Sequence, residues 1–197
     1  QWFLRITEYA EDLKEHIGID WPERIKLMQR NWVGKSEGAE LSFGLEHYGL
    51  EEKEIRVFTT RPDTIYGATF MVLAPEHPMV KKLTTPAHRK EMEEYAAWAW
   101  GRSEIERQAV ELEKSGVFTG AYCTNRFTGE RIPIWIADYV ILSYGTGVVM
   151  GVPAHDTRDF VFAQKYGIPV PVVIAPPGWS VEPLREAYVG PGTMVNS

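Results

Sequence analysis

A chain of 197 residues is long enough for one globular domain, and its 44% apolar and 24% charged residues are ordinary for a soluble globular protein. The formal net charge of −6 argues against a protein that holds a long stretch of nucleic acid by its phosphates, because such binding usually needs a basic surface. No apolar run approaches the roughly 20 residues that would span a bilayer, which excludes a transmembrane helix.

The first part of the chain predicts two helices. Residues 8–17 place apolar side chains four apart on one helical face, and Gly18 follows as a stop signal. Pro22 sits where the first turn of a second helix would begin, and its apolar stripe continues to about Asn31. The chain opens without an initiator methionine and both ends look cut, so we expect a piece of a larger protein.

The remainder predicts many short strands and a few helices. Apolar runs bounded by Gly, Pro and polar residues predict strands over 39–43, 54–60, 67–74, 117–123, 131–136, 139–142, 148–152 and 168–174. Helices are expected over 86–112 with a break near Gly101, over 156–166, and in a short piece near Leu184. This mixture indicates a mixed α/β (α+β) fold, with a central β-barrel-like core and helices packed around it.

The chain contains a single cysteine, Cys123, so an internal disulfide is impossible and no disulfide partner is expected. Without cysteine pairs, a structural zinc site is also not expected. A reducing, cytoplasmic setting is the simplest interpretation of this cysteine usage.

A polar cluster ends the strand predicted over 54–60. The segment 59–64, Thr-Thr-Arg-Pro-Asp-Thr, gathers three hydroxyls, a guanidinium and a carboxylate around a proline that disfavours helix at Arg61. These hydroxyls could bond a ribose or an ester carbonyl, and Arg61 could pair with a phosphate. The same residues also suit a polar junction in which Asp63 and the threonines bond local backbone. Composition alone favours that structural role.

A second cluster lies where the strand over 148–152 leads into the helix over 156–166. Asp156 fits an N-cap, and Asp159, three residues on, fits the other half of a capping box. A carboxylate in a cleft at this point could instead bind an ammonium group through a charge-assisted hydrogen bond. The structural interpretation is weaker for Asp159, since one carboxylate already serves the helix end.

His155 stands beside Asp156, but neighbours in sequence rarely face each other, and no serine or cysteine nucleophile lies near them in the sequence. A histidine with satisfied ring nitrogens is therefore favoured over a catalytic base. The spacing of these residues with Asp159 matches no standard zinc or calcium motif, so no metal site is expected.

Together the two clusters, in this order and about 80 residues apart, resemble the editing domain inserted into class I aminoacyl-tRNA synthetases for branched aliphatic amino acids. Further segments resemble the bacterial leucyl type, namely Met28–Gly38, Gly67–Phe70, Leu73–Pro78 and Pro191–Ser197. The resemblance covers essentially the whole chain. It implies an arm over residues 1–35 leading from the parent's catalytic core, an editing domain over 36–190, and an exit arm over 191–197.

The resemblance also implies roles for the residues of both clusters. Thr64 would be a sieve that blocks the branched γ-carbon of leucine, and Asp159 would hold the α-ammonium of the aminoacyl group. Asp156 would help fix the ribose or a water. Thr59, Thr60 and Arg61 would hold the terminal adenosine and its phosphate, and the two threonines would also position water, so the expected catalytic residues are Asp159, Thr60, Thr59 and Asp156. Met150 and Val152 would line the side-chain pocket with Tyr144 nearby, and His155 is also expected to bind substrate.

The implied reaction is hydrolysis of the ester of mischarged tRNALeu carrying isoleucine, norvaline, valine or methionine, without a metal or other cofactor. ATP with magnesium would serve only the separate synthetic site of the parent. The implied partners are the 3′ end of the mischarged tRNA and the remainder of the synthetase chain, with no membrane.

Three alternatives remain open at this point. The first is the same reaction in a valyl or isoleucyl enzyme, and the second is a non-catalytic RNA-binding module. An esterase acting on free substrates is disfavoured, because no Gly-x-Ser-x-Gly nucleophile motif occurs.

Overall fold

The computed structural model describes residues 2, 4–15, 18–102, 106–107, 114–143 and 145–197. The chain divides into two compact units, Gln1–Glu37 and Gly38–Ser197. No helix in these ranges is both long and apolar enough to cross a membrane.

The first unit is a pair of short helices. A 3₁₀ turn over Ile6–Tyr9 runs into α1 (Ala10–Glu15), and α2 spans Glu23–Val33. The guanidinium of Arg30 in α2 donates to the backbone carbonyl of Lys14 in α1 at 3.3 Å. Both predicted helices are confirmed, and residues 16 and 17 of the first lie outside the described ranges.

The second unit is built on one six-stranded sheet. Its strands, in chain order, are β1 (Ala39–Gly44), β2 (Glu54–Thr59), β3 (Phe70–Leu73), β4 (Gly116–Asn125), β5 (Arg131–Ala137) and β6 (Val148–Gly151). The spatial order is β2-β1-β4-β5-β3-β6, antiparallel throughout except for the parallel pair β3–β5. The edge strands β2 and β6 approach each other, so the sheet curls toward a barrel with a seam between them. The expected mixed α/β fold is confirmed.

Strand β3 explains how the core is divided. Its alternate residues Met71 and Leu73 join the interior cluster of the curled sheet, while Phe70 and Val72 face a second cluster outside it. The second cluster is covered by helix α5 (Thr157–Tyr166), whose Phe162 stacks on Phe70 with ring centroids 5.2 Å apart. Because both faces are buried, β3 is a continuous apolar run, and it pairs with β6 on one edge and packs against α5 on its outer face.

Further helical segments lie between β3 and β4. Helix α3 (Met79–Leu83), which the sequence did not predict, is followed by a 3₁₀ turn over Pro86–His88 and by α4 (Arg89–Trp100). The predicted break near Gly101 coincides with the end of α4. Residues 103–105 and 108–113 of the predicted helical region lie outside the described ranges.

Three predicted strands are wrong or too long. The strand expected over 67–74 is limited to β3, because Gly67 still belongs to the 3₁₀ turn that follows β2. Residues 139–142 form no strand. The buried guanidinium of Arg107 donates to the carbonyls of Asp138 and Val140, so these carbonyls are not available to pair with a neighbouring strand. Of residues 168–174, only Ile174 is in a strand, β7 (Ile174–Ala175), which pairs with β8 (Thr193–Met194).

The short helix expected near Leu184 is also absent. The residues from 181 to 186 are mostly exposed, and Val181 has a φ of 68°. Since short helices depend on packing an apolar face, nothing here would stabilise one.

Candidate functional site

A cavity of about 180 Å³ lies at the seam of the curled sheet. It is bounded by β2, by the 3₁₀ turn over Pro62–Gly67, by β6 and by the first turn of α5. Its lining consists of Phe58, Thr59, Thr60, Arg61, Thr64, Val149, Met150, Val152, His155, Asp156, Arg158 and Asp159. The two polar clusters of the sequence therefore meet, because each follows one of the two edge strands.

All of the described candidate residues line this one cavity, and Tyr144 lies outside the described residues. Sequence reasoning assigned no role to Phe58, Val149 or Arg158. Phe58 and Val149 belong to the two edge strands, and their place in the lining depends on how the sheet curls.

Local hydrogen bonds fix the turn after β2. The hydroxyl of Thr59 accepts from the backbone N–H of Arg61 at 3.0 Å, and the hydroxyl of Thr64 donates to the Arg61 carbonyl at 2.9 Å. The side chain of Thr64 is therefore held in one orientation, and the residue is only 2% exposed. Thr60 is exposed, and its hydroxyl makes no hydrogen bond within the described part of the chain.

Arg61 and Asp63 form an ion pair at the rim of the cavity. The Arg61 Nε and terminal nitrogen each donate to the Asp63 carboxylate at 3.0 Å. These hydrogen bonds hold the pKa of Asp63 below its usual value. Their side chains are 38% and 39% exposed, so an anion arriving from solvent could reach the guanidinium.

Asp156 caps helix α5. Its Oδ1 accepts from the backbone N–H groups of Arg158 at 2.8 Å and Asp159 at 3.2 Å, and its Oδ2 pairs with the Arg158 guanidinium at 3.1 Å. The predicted N-cap is confirmed. The capping-box pattern is incomplete, because the Asp159 carboxylate turns to other partners instead of reaching back to the helix end.

Asp159 is a buried carboxyl, 4% exposed, in the wall of the cavity. Its Oδ2 accepts from the Val152 N–H at 2.9 Å, and its Oδ1 accepts from the Tyr139 hydroxyl at 3.2 Å. Burial, followed by the nearby charge of Asp156, raises the pKa of Asp159 from 3.8 to about 7. A carboxyl in this situation gains strongly from a cation, because a positive charge beside it would offset the cost of ionising it in a buried place.

His155 has both ring nitrogens occupied. Nε2 accepts from the backbone N–H groups of Val173 and Ile174, each at 3.1 Å, so it carries no proton. The proton is then on Nδ1, which donates to the Tyr188 carbonyl at 2.9 Å. Burial lowers the pKa of His155, which keeps the ring neutral. This geometry suits a residue that ties two segments together rather than a base that takes a proton from water.

The chemistry available in the cavity follows from these groups. A buried carboxyl can hold a cationic amine, the small apolar wall of Met150 and Val152 can hold a short side chain, and the Arg61 rim can hold a phosphate or sugar. Within the described ranges, no group of three or more His, Cys, Asp or Glu side chains is arranged to hold a metal ion.

Comparison with known proteins connects this cavity to one family. Residues 30–197 match the family profile described as "Leucyl-tRNA synthetase, editing domain". The whole chain is similar to leucine–tRNA ligases, at 63% identity for that of Dehalococcoides mccartyi strain 195, 57% for Rubrobacter xylanophilus and 54% for Gloeobacter violaceus. It spans 24%, 24% and 23% of these relatives, respectively.

The fold is also similar to a solved structure. That structure is a ternary complex of Agrobacterium radiobacter K84 AgnB2 LeuRS with tRNA and LeuAMS. The similarity has a TM-score of 0.72 and 39% sequence identity, and it covers 94% of this chain and 22% of the other.

Proposed function

Because the chain belongs to the leucyl-tRNA synthetase editing-domain family, we propose that it hydrolyses the ester bond of tRNALeu charged with a wrong amino acid. Its substrates are isoleucyl-, norvalyl-, valyl- and methionyl-tRNALeu, and it acts within a cytoplasmic synthetase that attaches leucine with ATP. The observation that carries this proposal is that Thr64 and the buried carboxyl of Asp159 line the same small cavity.

A second site is needed because the aminoacylation pocket of a synthetase discriminates poorly between similar amino-acid side chains. One methylene changes binding by only about 1–3 kcal/mol, a general figure for which synthetase editing is the standard example. A hydrolytic cavity can instead accept the misfits and exclude leucine by shape.

Thr64 provides the exclusion. Its side chain is fixed by the hydrogen bond to the Arg61 carbonyl, and it shares the cavity with Met150 and Val152. A γ-branched side chain would meet its methyl and hydroxyl groups, whereas an unbranched or β-branched side chain would pass them. Rigidity is essential to this role, because a mobile side chain would move aside for leucine.

Asp159 holds the amino end of the substrate. Its two oxygens are oriented by Val152 and Tyr139, and the α-ammonium supplies the positive charge that favours ionisation of the buried carboxyl. Asp159 therefore binds the amino end of the substrate, while Thr64 accepts or excludes its side chain by shape.

The nucleic-acid end lies at the rim. Thr59 and Thr60 bond the terminal ribose or the attacking water, Arg61 pairs with the phosphate, and Asp156 helps to fix the ribose or the water. Only a short 3′ end is held here, which is consistent with the acidic net charge of the chain. The body of the tRNA is held by the remainder of the synthetase.

Hydrolysis proceeds without a metal or a covalent intermediate. An aminoacyl ester is already activated, so orienting it beside a bound water supplies much of the acceleration. The ring of His155 stays neutral and structural, because both of its nitrogens are occupied within the protein.

The test is single-turnover hydrolysis of isoleucyl-tRNALeu and leucyl-tRNALeu, with the chain in excess so that weak tRNA binding is overcome. We expect isoleucyl-tRNALeu to lose its amino acid at least about ten-fold faster than leucyl-tRNALeu, a ratio set by one methyl position. A parallel reaction with 1,10-phenanthroline, which removes transition metals and leaves magnesium, should run at the same rate. Equal rates for the two esters, or binding without hydrolysis, would contradict the proposal.

A further inference from the structure

Tyr139 is the only side-chain hydrogen-bond partner of the Asp159 carboxyl within the described ranges. It lies in the loop after β5, twenty residues before Asp159, and it is itself buried. Its hydroxyl lies 3.2 Å from Oδ1 of Asp159, while the Val152 N–H binds the other oxygen. Each oxygen is therefore held by one donor.

The loop that carries Tyr139 is itself held on both sides. The buried guanidinium of Arg107 donates to the Asp138 carbonyl at 2.8 Å and to the Val140 carbonyl at 2.7 Å, and it also pairs with Glu76. The Tyr139 ring packs edge-on against Phe162 of α5, with centroids 5.8 Å apart. The hydroxyl is thus directed at Asp159 by a fixed backbone and a packed ring.

We propose that Tyr139 is a positioning residue, whose hydroxyl orients the Asp159 carboxylate toward the cavity and favours its ionised form. This inference rests on the proposed function, in which that carboxylate receives the α-ammonium. A phenol that donates a hydrogen bond stabilises the charged carboxylate more than the neutral acid. It therefore supports the state that binds a cation.

The electrostatic surroundings make this contribution measurable. Burial and the charge of Asp156 raise the pKa of Asp159, whereas the Val152 N–H, the Arg158 charge and the Tyr139 hydroxyl lower it. Arg61 and His155 are the other ionisable side chains lining the cavity. Removing only the Tyr139 hydroxyl should therefore raise the pKa of Asp159.

The experiment compares Tyr139→Phe with Tyr166→Phe in the 197-residue chain. Both tyrosine rings pack on Phe162, and each substitution removes one hydroxyl. Tyr139 is buried and Tyr166 is half-buried. The hydroxyl of Tyr166 bonds the backbone of Gly116 instead of Asp159. The control therefore reproduces the loss of a hydroxyl in the same aromatic cluster without touching the carboxyl.

Two readouts are recorded for each variant. The first is the pH titration of the Asp159 carboxyl carbon by ¹³C NMR in the free protein. The second is the single-turnover rate on isoleucyl-tRNALeu, taken as the ratio of wild type to variant at each pH so that ionisation of the substrate cancels.

For Tyr139→Phe we expect the titration midpoint to rise by about 0.5–1 pH unit, and the rate ratio to be about five at pH 6 and under about two at pH 8.5. Tyr166→Phe should leave both unchanged. An unchanged Asp159 titration in Tyr139→Phe, or a rate loss that is equal at every pH, would overturn the inference. If wild type does not hydrolyse the ester, the proposed function fails, while the NMR titration still decides whether Tyr139 acts on Asp159.

Discussion

Replacing Thr64 by alanine is expected to make the chain hydrolyse correctly charged leucyl-tRNALeu. The substitution removes a hydroxyl and a methyl from a side chain that is 2% exposed and fixed in the cavity wall. The space released can admit a γ-methyl group. We expect the single-turnover rate on leucyl-tRNALeu to rise at least about ten-fold, and the rate on isoleucyl-tRNALeu to change little.

Thr64→Val is the matched control, because valine keeps the bulk of threonine and loses only its hydroxyl. It should continue to spare leucyl-tRNALeu if shape provides the exclusion. Two results would show that the bulk of residue 64 does not exclude leucine. One is that the Thr64→Ala variant still spares leucyl-tRNALeu, and the other is that the Thr64→Val variant hydrolyses it as fast as the Thr64→Ala variant does.

Asp159→Asn is expected to reduce hydrolysis of isoleucyl-tRNALeu by about 100-fold or more at pH 7.5. The amide has nearly the shape of the carboxyl and can still accept from the Val152 N–H, but it cannot neutralise the α-ammonium of the substrate. Losing one member of a buried, hydrogen-bonded charge pair costs roughly 2–5 kcal/mol. A rate within about three-fold of wild type would refute the assigned role of Asp159.

The same variant should be more stable than wild type, which separates a chemical effect from misfolding. Because the pKa of Asp159 rises from 3.8 in the unfolded chain to about 7 in the folded one, only the folded state holds this proton between these values. The unfolding free energy therefore falls as pH rises through that window. Chemical denaturation should show Asp159→Asn stabilised at pH 8 by up to about 4 kcal/mol, and little changed at pH 4.

Local patterns predicted the elements that depend on local chemistry. The Asp156 N-cap, the helix behind it and the strands β2, β5 and β6 all follow from apolar periodicity and capping residues within a few positions. The strand predictions over 139–142 and 168–174 failed where distant side chains bond the backbone. Arg107 occupies the carbonyls around Tyr139, and the His155 ring occupies the N–H groups of Val173 and Ile174, so neither segment is free to form a long ladder.

The candidate site was likewise predictable where it depends on local sequence and not where it depends on distant contacts. Its two clusters were visible as polar residues beside strand ends, and the family resemblance joined them and named their leucyl type, which the comparisons confirm over the valyl and isoleucyl alternatives. Tyr139 was missed, because no spacing rule connects a residue in the loop after β5 to Asp159 in α5. Its contact depends on how α5 packs over β3, which only the folded chain reveals.

The most direct test is a crystal structure of the chain with a non-hydrolysable amide analogue of norvalyl-adenosine. We predict the α-ammonium nitrogen within about 3 Å of the Asp159 carboxylate, and the end of the side chain against Thr64 beside Met150 and Val152. An amino group directed away from Asp159, or an analogue bound outside the seam between β2 and β6, would contradict the account.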